Sequence, residues 1–191
     1  MEQKTVKKIV IIGPESTGKS TLTKQLSAHY HTIACPEYAR QYLNENGTAY
    51  SFDDLLAIAK GQLALEEKLT KEVLNNQLLV TSNQLLTHNS QLLFIDTDMY
   101  VMKVWCEYVF GKCHQFILNE IVNRQYDLYL LCNIDLPWVK DALREYPDEK
   151  PRRELYNIYK DLLTNQTTPW VDISGNYGQR LQKAIEAVDM L

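Results

Sequence analysis

Residues 13–20 combine glycine, lysine and serine at a spacing that can bind phosphate. The run fits the pattern Gly-x-x-x-x-Gly-Lys-Ser, in which backbone N–H groups and a lysine face phosphate oxygens and a serine hydroxyl coordinates magnesium. A β-branched apolar run (6–12) precedes it and a helical segment follows, which is the context that a phosphate loop needs. The sequence therefore predicts an ATP-binding loop made of Gly13, Glu15, Ser16, Thr17, Gly18, Lys19, Ser20 and Thr21.

A phosphate loop works with an acid that helps to hold magnesium, and the sequence offers two candidates. Residues 92–95 are apolar and lead to Asp96, whereas Asp135 follows a later apolar run and leads into a proline-rich segment. We therefore predict that Ser20 and Asp96 bind Mg²⁺ and that Asp96 is catalytic. Asp98 could contact a substrate hydroxyl or cap the helix that begins at residue 99, and the sequence leaves both interpretations open.

Glu37 and Arg40 follow the second predicted strand, at the carboxyl edge where open α/β sheets bind ligands. A carboxylate at this edge can accept the proton of an attacking alcohol, and an arginine can orient the acceptor or neutralise phosphate charge. We predict that Glu37 and Lys19 are catalytic. The alternative is a surface Glu–Arg pair on a helix.

The segment 136–153 carries three of the six prolines and three arginines, which makes it a candidate lid. Arginines on a closing lid can stabilise charge on the transferred phosphoryl group while water is excluded. We predict catalytic roles for Arg144 and Arg152. Of the three arginines Arg144, Arg152 and Arg153, we expect at least one to be only a solvated surface charge. Trp105, Tyr108 and Trp138 could stack on a flat ring, although aromatic residues at helical spacing more often pack in the core.

The elements that must position these residues alternate between strand and helix. Strands are predicted at 6–12, 32–35, 91–96, 126–132 and 170–173, and helices at 18–30, from 51, 99–110, 114–125, 154–164 and from 177. The alternation predicts an α/β fold, a P-loop kinase-like three-layer sandwich with a mostly parallel sheet of about five strands and an arginine-bearing lid. Residues 1–191 are expected to form a single domain.

Residues 76–93 contain a seven-residue repeat of the form Asn/Ser-Gln-Leu-Leu, beginning at 76, 83 and 90. We expect the first copies to extend the preceding helix or loop out, and the last copy to enter the strand that ends at Asp96. The repeat is interpreted as a tolerated surface insertion, with a dimerisation arm, and hence a homo-oligomer, as the alternative.

Composition argues against several classes of protein. The net charge of −4, with lysine and arginine dispersed, gives no broad basic face for a nucleic acid. No apolar run reaches the roughly 18 residues of a membrane span, and no export signal is evident. The four cysteines show no Cys-x-x-Cys pair, so a cytoplasmic protein with reduced thiols is expected. The guanine-specificity motif Asn-Lys-x-Asp and the nucleotidyltransferase motif His-x-Gly-His are absent from the sequence.

Four motifs resemble, in order and spacing, the ribosylnicotinamide kinase domain of bacterial trifunctional NAD-biosynthesis/regulator proteins. They are Gly13-Pro-Glu-Ser-Thr-Gly-Lys-Ser-Thr, Pro36-Glu-Tyr-Ala-Arg, Phe94-Ile-Asp-Thr-Asp and Asp135-Leu-Pro-Trp-Val-Lys-Asp, with Arg144 following. The resemblance covers nearly the whole chain and implies a P-loop kinase fold. It also implies phosphorylation of the 5′-hydroxyl of a small-molecule riboside, nicotinamide riboside, with ATP and Mg²⁺.

Residue by residue, the resemblance implies substrate contacts that lie in three parts of the chain. Glu37, Tyr38 and Arg40 would serve the riboside, Asp98 and Trp105 would be further riboside contacts, and Trp138 and Arg144 would belong to a lid over the substrate. Two alternatives remain open. One is a kinase for another nucleoside or deoxynucleoside, and the other is a non-catalytic ATP-sensing module that acts through residues 76–96.

Overall fold

The computed structural model describes residues 5–80, 91–140 and 148–191. Within these residues, strands and helices alternate as the sequence predicts. The strands are β1 (Lys7–Ile12), β2 (Ile33–Cys35), β3 (Leu92–Asp96), β4 (Leu128–Cys132) and β5 (Trp170–Ile173). The helices are α1 (Lys19–His29), α2 (Tyr38–Asn46), α3 (Phe52–Val80), α4 (Met99–Phe110), α5 (Gln115–Asn123), α6 (Glu149–Thr164) and α7 (Tyr177–Asp189).

The five strands form one parallel sheet in the order β2-β3-β1-β4-β5. β1 lies at the centre, and its last four residues are fully buried, as expected for an apolar strand that is covered on both faces. The register pairs Ile11 of β1 with Asp96 of β3. The loop that leaves β1 therefore emerges beside the end of β3, at the carboxyl edge of the sheet.

Helices cover both faces of the sheet, which gives the predicted three layers. Alternate residues of β1 point to opposite faces. Ile9 and Ile11 pack with α1 and α7. Val10 and Ile12 pack with α3, α4 and α6. A separate apolar cluster joins α2, α3, α4 and α5 beside the sheet. The described helices include none that combines the length and apolar character needed to cross a lipid bilayer.

The predicted strand bounds agree with the structure to within two residues, but two helices differ. α2 was not predicted as an element of its own, because it is only nine residues long and follows β2 almost directly. α6 begins at Glu149 rather than near 154. The prediction treated Pro151 as a helix breaker, yet proline is tolerated in a first turn because the N–H groups there have no helical acceptor.

The repeat and the candidate lid are described only in part. α3 continues to Val80 and the leucines of the last repeat copy lie in β3, so the expected helix and strand are both present. Residues 81–90 lie outside the described residues, and the insertion and dimerisation interpretations stay predictions. Of the candidate lid, residues 136–140 follow β4 and residues 149–153 begin α6. Arg144 lies outside the described residues.

Candidate active site

The phosphate loop joins β1 to α1 through backbone conformations that require small residues. Gly13, Ser16 and Gly18 have φ values of 141°, 56° and 79°. A Cβ atom at Gly13 would lie 2.7 Å from the carbonyl oxygen of Cys132, so this position needs glycine for space as well as for conformation. Inside the loop, Thr17 Oγ1 donates to the Pro14 carbonyl at 2.7 Å. The loop is thus a fixed shape built against the end of β4.

A cavity of about 390 Å³ opens in front of this loop. Every predicted ATP-binding residue lines it. These are Gly13, Glu15, Ser16, Thr17, Gly18, Lys19, Ser20 and Thr21. Lys19 is the first residue of α1, and its Nζ donates to the Pro14 carbonyl at 2.8 Å. The lysine ammonium and the helix N-terminus therefore lie together at the cavity, where both favour a bound phosphate.

Asp96 ends β3 next to this loop and is 2% exposed. Burial raises the pKa of Asp96, whereas the positive charge of Lys19, a hydrogen bond from the Ser20 side chain and the charge of Arg40 lower it. Its Oδ1 atom is buried without a hydrogen-bond partner in the part of the chain that the structure describes. A carboxylate oxygen with a vacant lone pair beside a serine hydroxyl is a donor set that fits Mg²⁺.

Thr97 turns the chain sharply after Asp96, and the sequence analysis did not single it out. Its φ of 83° is unusual for a β-branched residue and costs about 1–3 kcal/mol of backbone strain. The Thr97 N–H donates to the Ile11 carbonyl at 3.4 Å, while its hydroxyl is buried without a partner among the described residues. The strained turn fixes the end of β3 against the end of β1.

Asp98 is the N-cap of α4, which is one of its two sequence interpretations. Its Oδ1 accepts from the N–H groups of Tyr100 and Val101 at 3.0 and 3.3 Å, and its Oδ2 accepts from the Tyr129 hydroxyl at 2.9 Å. Burial raises the pKa of Asp98 to about 7, against the effect of these hydrogen bonds. Asp98 lines a second cavity of about 230 Å³ and not the phosphate cavity. Its position therefore gives no support to the predicted riboside contact.

Glu37 and Arg40 line the phosphate cavity from α2, whereas Tyr38 between them does not. Glu37 precedes the first residue of the helix as its N-cap. The Tyr38 ring packs against α3, where a Cβ atom at Gly61 would lie only 2.0 Å from the ring, and its N–H donates to Gln62 Oε1 at 2.7 Å. Tyr38 thus anchors α2 on α3 and leaves its two charged neighbours at the cavity.

Aromatic side chains form a further part of the cavity lining, which we call the aromatic wall. Trp105 and Tyr108 of α4 line the cavity together with Tyr50 and Tyr159. The Trp105 Nε1–H donates to the Tyr50 hydroxyl at 2.8 Å, and the two rings meet edge to face with centroids 4.9 Å apart. Tyr50 was missed because it lies in the connection before α3, where no periodic pattern marks it.

The described tryptophan and arginines of the candidate lid lie outside this lining. Trp138 is half-buried, and its Nε1 has no hydrogen-bond partner within the described ranges. Arg152 is buried, and its Nη2 lies 3.5 Å from the Ser16 carbonyl and 3.4 Å from the Leu136 carbonyl. Arg153 is 62% exposed and pairs with Glu149, which makes it a surface charge as expected of at least one arginine. Arg152 therefore contacts the phosphate loop itself rather than the open cavity.

Comparison with known proteins places the chain in a family. The family model described as AAA domain (AAA_28) matches residues 8–180. The chain belongs to this AAA-domain family.

The curated relatives of this AAA domain include the trifunctional NAD biosynthesis/regulator protein NadR of Escherichia coli strain K12. It is 27% identical over 188 residues, which is 96% of this chain and 42% of that protein. The chain therefore spans less than half the length of this relative. The resemblance that the sequence motifs suggest is confirmed at this level.

Solved structures show the same fold. A crystal structure of NadR protein in complex with NR superposes with a TM-score of 0.74 at 20% identity, over 96% of this chain and 50% of that chain. A deoxyadenosine kinase from M. mycoides, solved with the products dCMP and dCDP, matches with a TM-score of 0.57 at 12% identity, over 96% and 100% of the two chains. The AAA domain thus has the predicted P-loop kinase fold.

Asp135 is the second magnesium-ligand candidate of the sequence. Both of its carboxylate oxygens are hydrogen-bonded in this AAA domain. One oxygen pairs with Arg180 of α7 and the other accepts from the Gly175 N–H at 2.5 Å. Burial acts to raise the pKa of Asp135, but these two bonds outweigh it and the pKa is lowered. Among the described residues, Asp96 Oδ1 has no hydrogen-bond partner whereas both oxygens of Asp135 are bonded, and the magnesium role of Asp96 stays a prediction. Arg180 was not found from the sequence, where it is one charged residue on an amphipathic helix.

Proposed function

We propose that this protein transfers the γ-phosphoryl group of ATP to the 5′-hydroxyl of nicotinamide riboside. The main support for the proposal is that a single cavity is available to both substrates. This cavity of about 390 Å³ is lined by the phosphate loop, Glu37, Arg40 and the aromatic wall. Donor phosphate and acceptor alcohol would meet inside it. The crystal structure of NadR with bound NR, interpreted as nicotinamide riboside, supports this acceptor.

The loop side of the cavity suits the donor. Backbone N–H groups, the α1 N-terminus and Lys19 all favour the phosphates of ATP. Ser20 and Asp96 would hold Mg²⁺, which when bound neutralises phosphate charge. Positioning and charge stabilisation are the main sources of catalysis in phosphoryl transfer.

The rest of the cavity lining suits the acceptor. Glu37 is a carboxylate that can accept the proton of the attacking 5′-hydroxyl, and Arg40 can orient the ribose or the transferred group. The nicotinamide ring of the riboside is cationic, and the faces of Trp105, Tyr50 and Tyr108 attract cations. An aromatic wall thus favours nicotinamide riboside over a neutral sugar.

The test is turnover of ATP with a panel of acceptors, namely nicotinamide riboside, adenosine, deoxyadenosine, deoxycytidine and thymidine. We expect monophosphate from nicotinamide riboside and little from the others. Lys19→Ala should lower kcat by at least about 100-fold, because charge stabilisation at the transferred phosphoryl group is lost. Lys24→Ala is the matched control, since Lys24 lies in the same helix but outside the cavity lining.

A second candidate function is a deoxynucleoside kinase. The match to a complete deoxyadenosine kinase chain favours it, since this fold is used there with a deoxynucleoside. The same panel separates the two. Turnover of a deoxynucleoside with no product from nicotinamide riboside would establish the second candidate and reject the first.

A further inference from the structure

Arg180 joins three separate segments behind the phosphate loop. Its guanidinium is 3% exposed and donates to the carbonyls of Thr17 at 2.8 Å, Gly175 at 2.8 Å and Asn133 at 2.7 Å. It also pairs with the Asp135 carboxylate. These acceptors belong to the phosphate loop, to the turn between β5 and α7, and to the exit of β4.

A buried charge with four partners has a structural effect that a surface arginine lacks. Desolvating a guanidinium is costly unless its donors are bonded, so the four acceptors are held where the fork needs them. One of them, the Thr17 carbonyl, belongs to a fully buried residue whose hydroxyl also shapes the loop. Arg180 lies outside the cavity lining, and its contact with the site is made through the loop.

We propose that Arg180 is a positioning residue for the donor nucleotide. It fixes the carbonyl of Thr17 and the turn at Gly175 in one arrangement, so that the loop is already shaped for triphosphate. The proposal rests on the proposed function only in requiring that the loop bind ATP, and it is independent of the acceptor.

Lysine cannot replace arginine in this role. Guanidinium offers five N–H donors in a rigid planar fork, whereas an ammonium offers three donors on one atom. The acceptors of Arg180 are spread over its Nε, Nη1 and Nη2 atoms. Arg180→Lys therefore keeps the charge opposite Asp135 and loses the simultaneous contacts.

The experiment measures ATP binding by calorimetry without acceptor, followed by steady-state kinetics with each substrate varied. We expect Arg180→Lys to weaken ATP binding about tenfold, which is the loss expected if the loop is correctly shaped in only about a tenth of the molecules, and to lower kcat. KM for the acceptor should stay within about twofold of wild type, because Glu37 and the aromatic wall do not contact Arg180. All measurements are made well below the unfolding midpoint of each variant.

Lys183→Met is the matched control. Lys183 lies on the same helix and donates to Ser174 Oγ at 2.7 Å, reaching the same turn from its exposed side without contact to the phosphate loop. We expect unchanged ATP binding. Asp135→Asn is a milder second variant that leaves the three carbonyl bonds of Arg180, and we expect about threefold weaker ATP binding.

Wild-type ATP affinity in both Arg180→Lys and Asp135→Asn would overturn the proposal. So would an equal loss of ATP and acceptor affinity, which indicates a general loosening of the fold. A failure of the proposed function would give a different experimental result from a failure of the Arg180 proposal. If nicotinamide riboside is not phosphorylated but Arg180→Lys still binds ATP more weakly, the acceptor assignment falls and the role of Arg180 stands.

Discussion

Two of the described carboxylates line the cavity, Glu15 in the phosphate loop and Glu37 at the start of α2, and we propose Glu37 as the group that deprotonates the acceptor. It lines the same volume as Lys19 and Ser20, whereas Asp98 is committed to the α4 cap and Asp135 to Arg180. Asp96 is the predicted magnesium ligand, and its Oδ1 would bind the metal. The general-base role of Glu37 stays a prediction, and a substitution can test it.

Glu37→Gln tests this role, because it keeps the shape and polarity of the side chain but cannot accept a proton. General-base catalysis contributes roughly 10²–10⁴-fold, so we expect kcat to fall by at least about 100-fold while KM for ATP stays near wild type. Glu45→Gln is the matched control on the same helix, where Glu45 is exposed and accepts from Gln41. A kcat within a few-fold of wild type for Glu37→Gln would show that another group, or the substrate itself, takes the proton.

A functional residue could be predicted from the sequence when its partners are close to it along the chain, and not when they are far away. The phosphate loop was predictable because consecutive residues build it. Tyr50 contacts Trp105 across 55 positions and Arg180 contacts Thr17 across 163, so nothing local marks either one. Tyr38 and Asp98 carried polar groups at suggestive positions, but packing on Gly61 and capping of α4 determine where they lie.

At the scale of elements, the position of α2 decides whether Glu37 and Arg40 reach the cavity. α2 rests on α3 through the Tyr38 ring, which occupies the space that a side chain at Gly61 would fill. Glycine in a helix interior costs about 1 kcal/mol relative to alanine, so helix propensity alone favours Gly61→Ala. A Cβ atom 2.0 Å from the ring reverses this preference, because either Tyr38 or the whole of α2 must move.

Gly61→Ala should therefore lower the free energy of unfolding by about 2 kcal/mol and raise KM for the acceptor, with KM for ATP less affected. The measurements are urea unfolding and steady-state kinetics. Tyr38→Ala completes a double-mutant cycle. In that background the clash is gone, and Gly61→Ala should be neutral or slightly stabilising. If Gly61→Ala destabilises the protein equally with and without the Tyr38 ring, the ring is not the reason that position 61 excludes a larger side chain.

The predicted elements were most accurate where one physical pattern acts alone. Buried strands are short apolar runs, and all five were found within two residues of their bounds. The helix predicted from residue 51 begins with Ser51 and Asp54, which form the reciprocal bonds of a capping box. The start of α6 was predicted too late along the chain. A proline such as Pro151 is found both where a helix is broken and in the first turn of a helix, and the hydrophobic pattern does not distinguish these two cases.

At the scale of the whole molecule, the carboxyl and amino edges of the sheet differ in what they contribute to function and to stability. The carboxyl edge carries the phosphate loop and the cavity, while the amino edge is held by a charge network around Glu66 of α3. Glu66 is 1% exposed and bonds Lys8 of β1 at 2.8 Å and the Tyr126 hydroxyl at 3.0 Å, with Arg124 at 3.5 Å. The network ties α3 to the sheet on the side away from the site.

Glu66→Gln should consequently reduce stability without changing catalysis. The substitution leaves Lys8 and Arg124 without their shared buried partner, and we expect the free energy of unfolding to fall by about 2 kcal/mol. Both KM values and kcat, measured below the unfolding midpoint, should match wild type.

Glu67→Gln provides the comparison that isolates burial as the cause. Glu67 is the next residue, also pairs with Arg124, at 2.7 Å, and is 55% exposed. Exposed ion pairs contribute about 0–1 kcal/mol, so Glu67→Gln should change stability by no more than that. If the two variants lose the same stability, burial is not what gives the Glu66 network its strength. If Glu66→Gln alters KM for ATP, the two edges of the sheet are coupled through β1, and the separation of tasks between them is wrong.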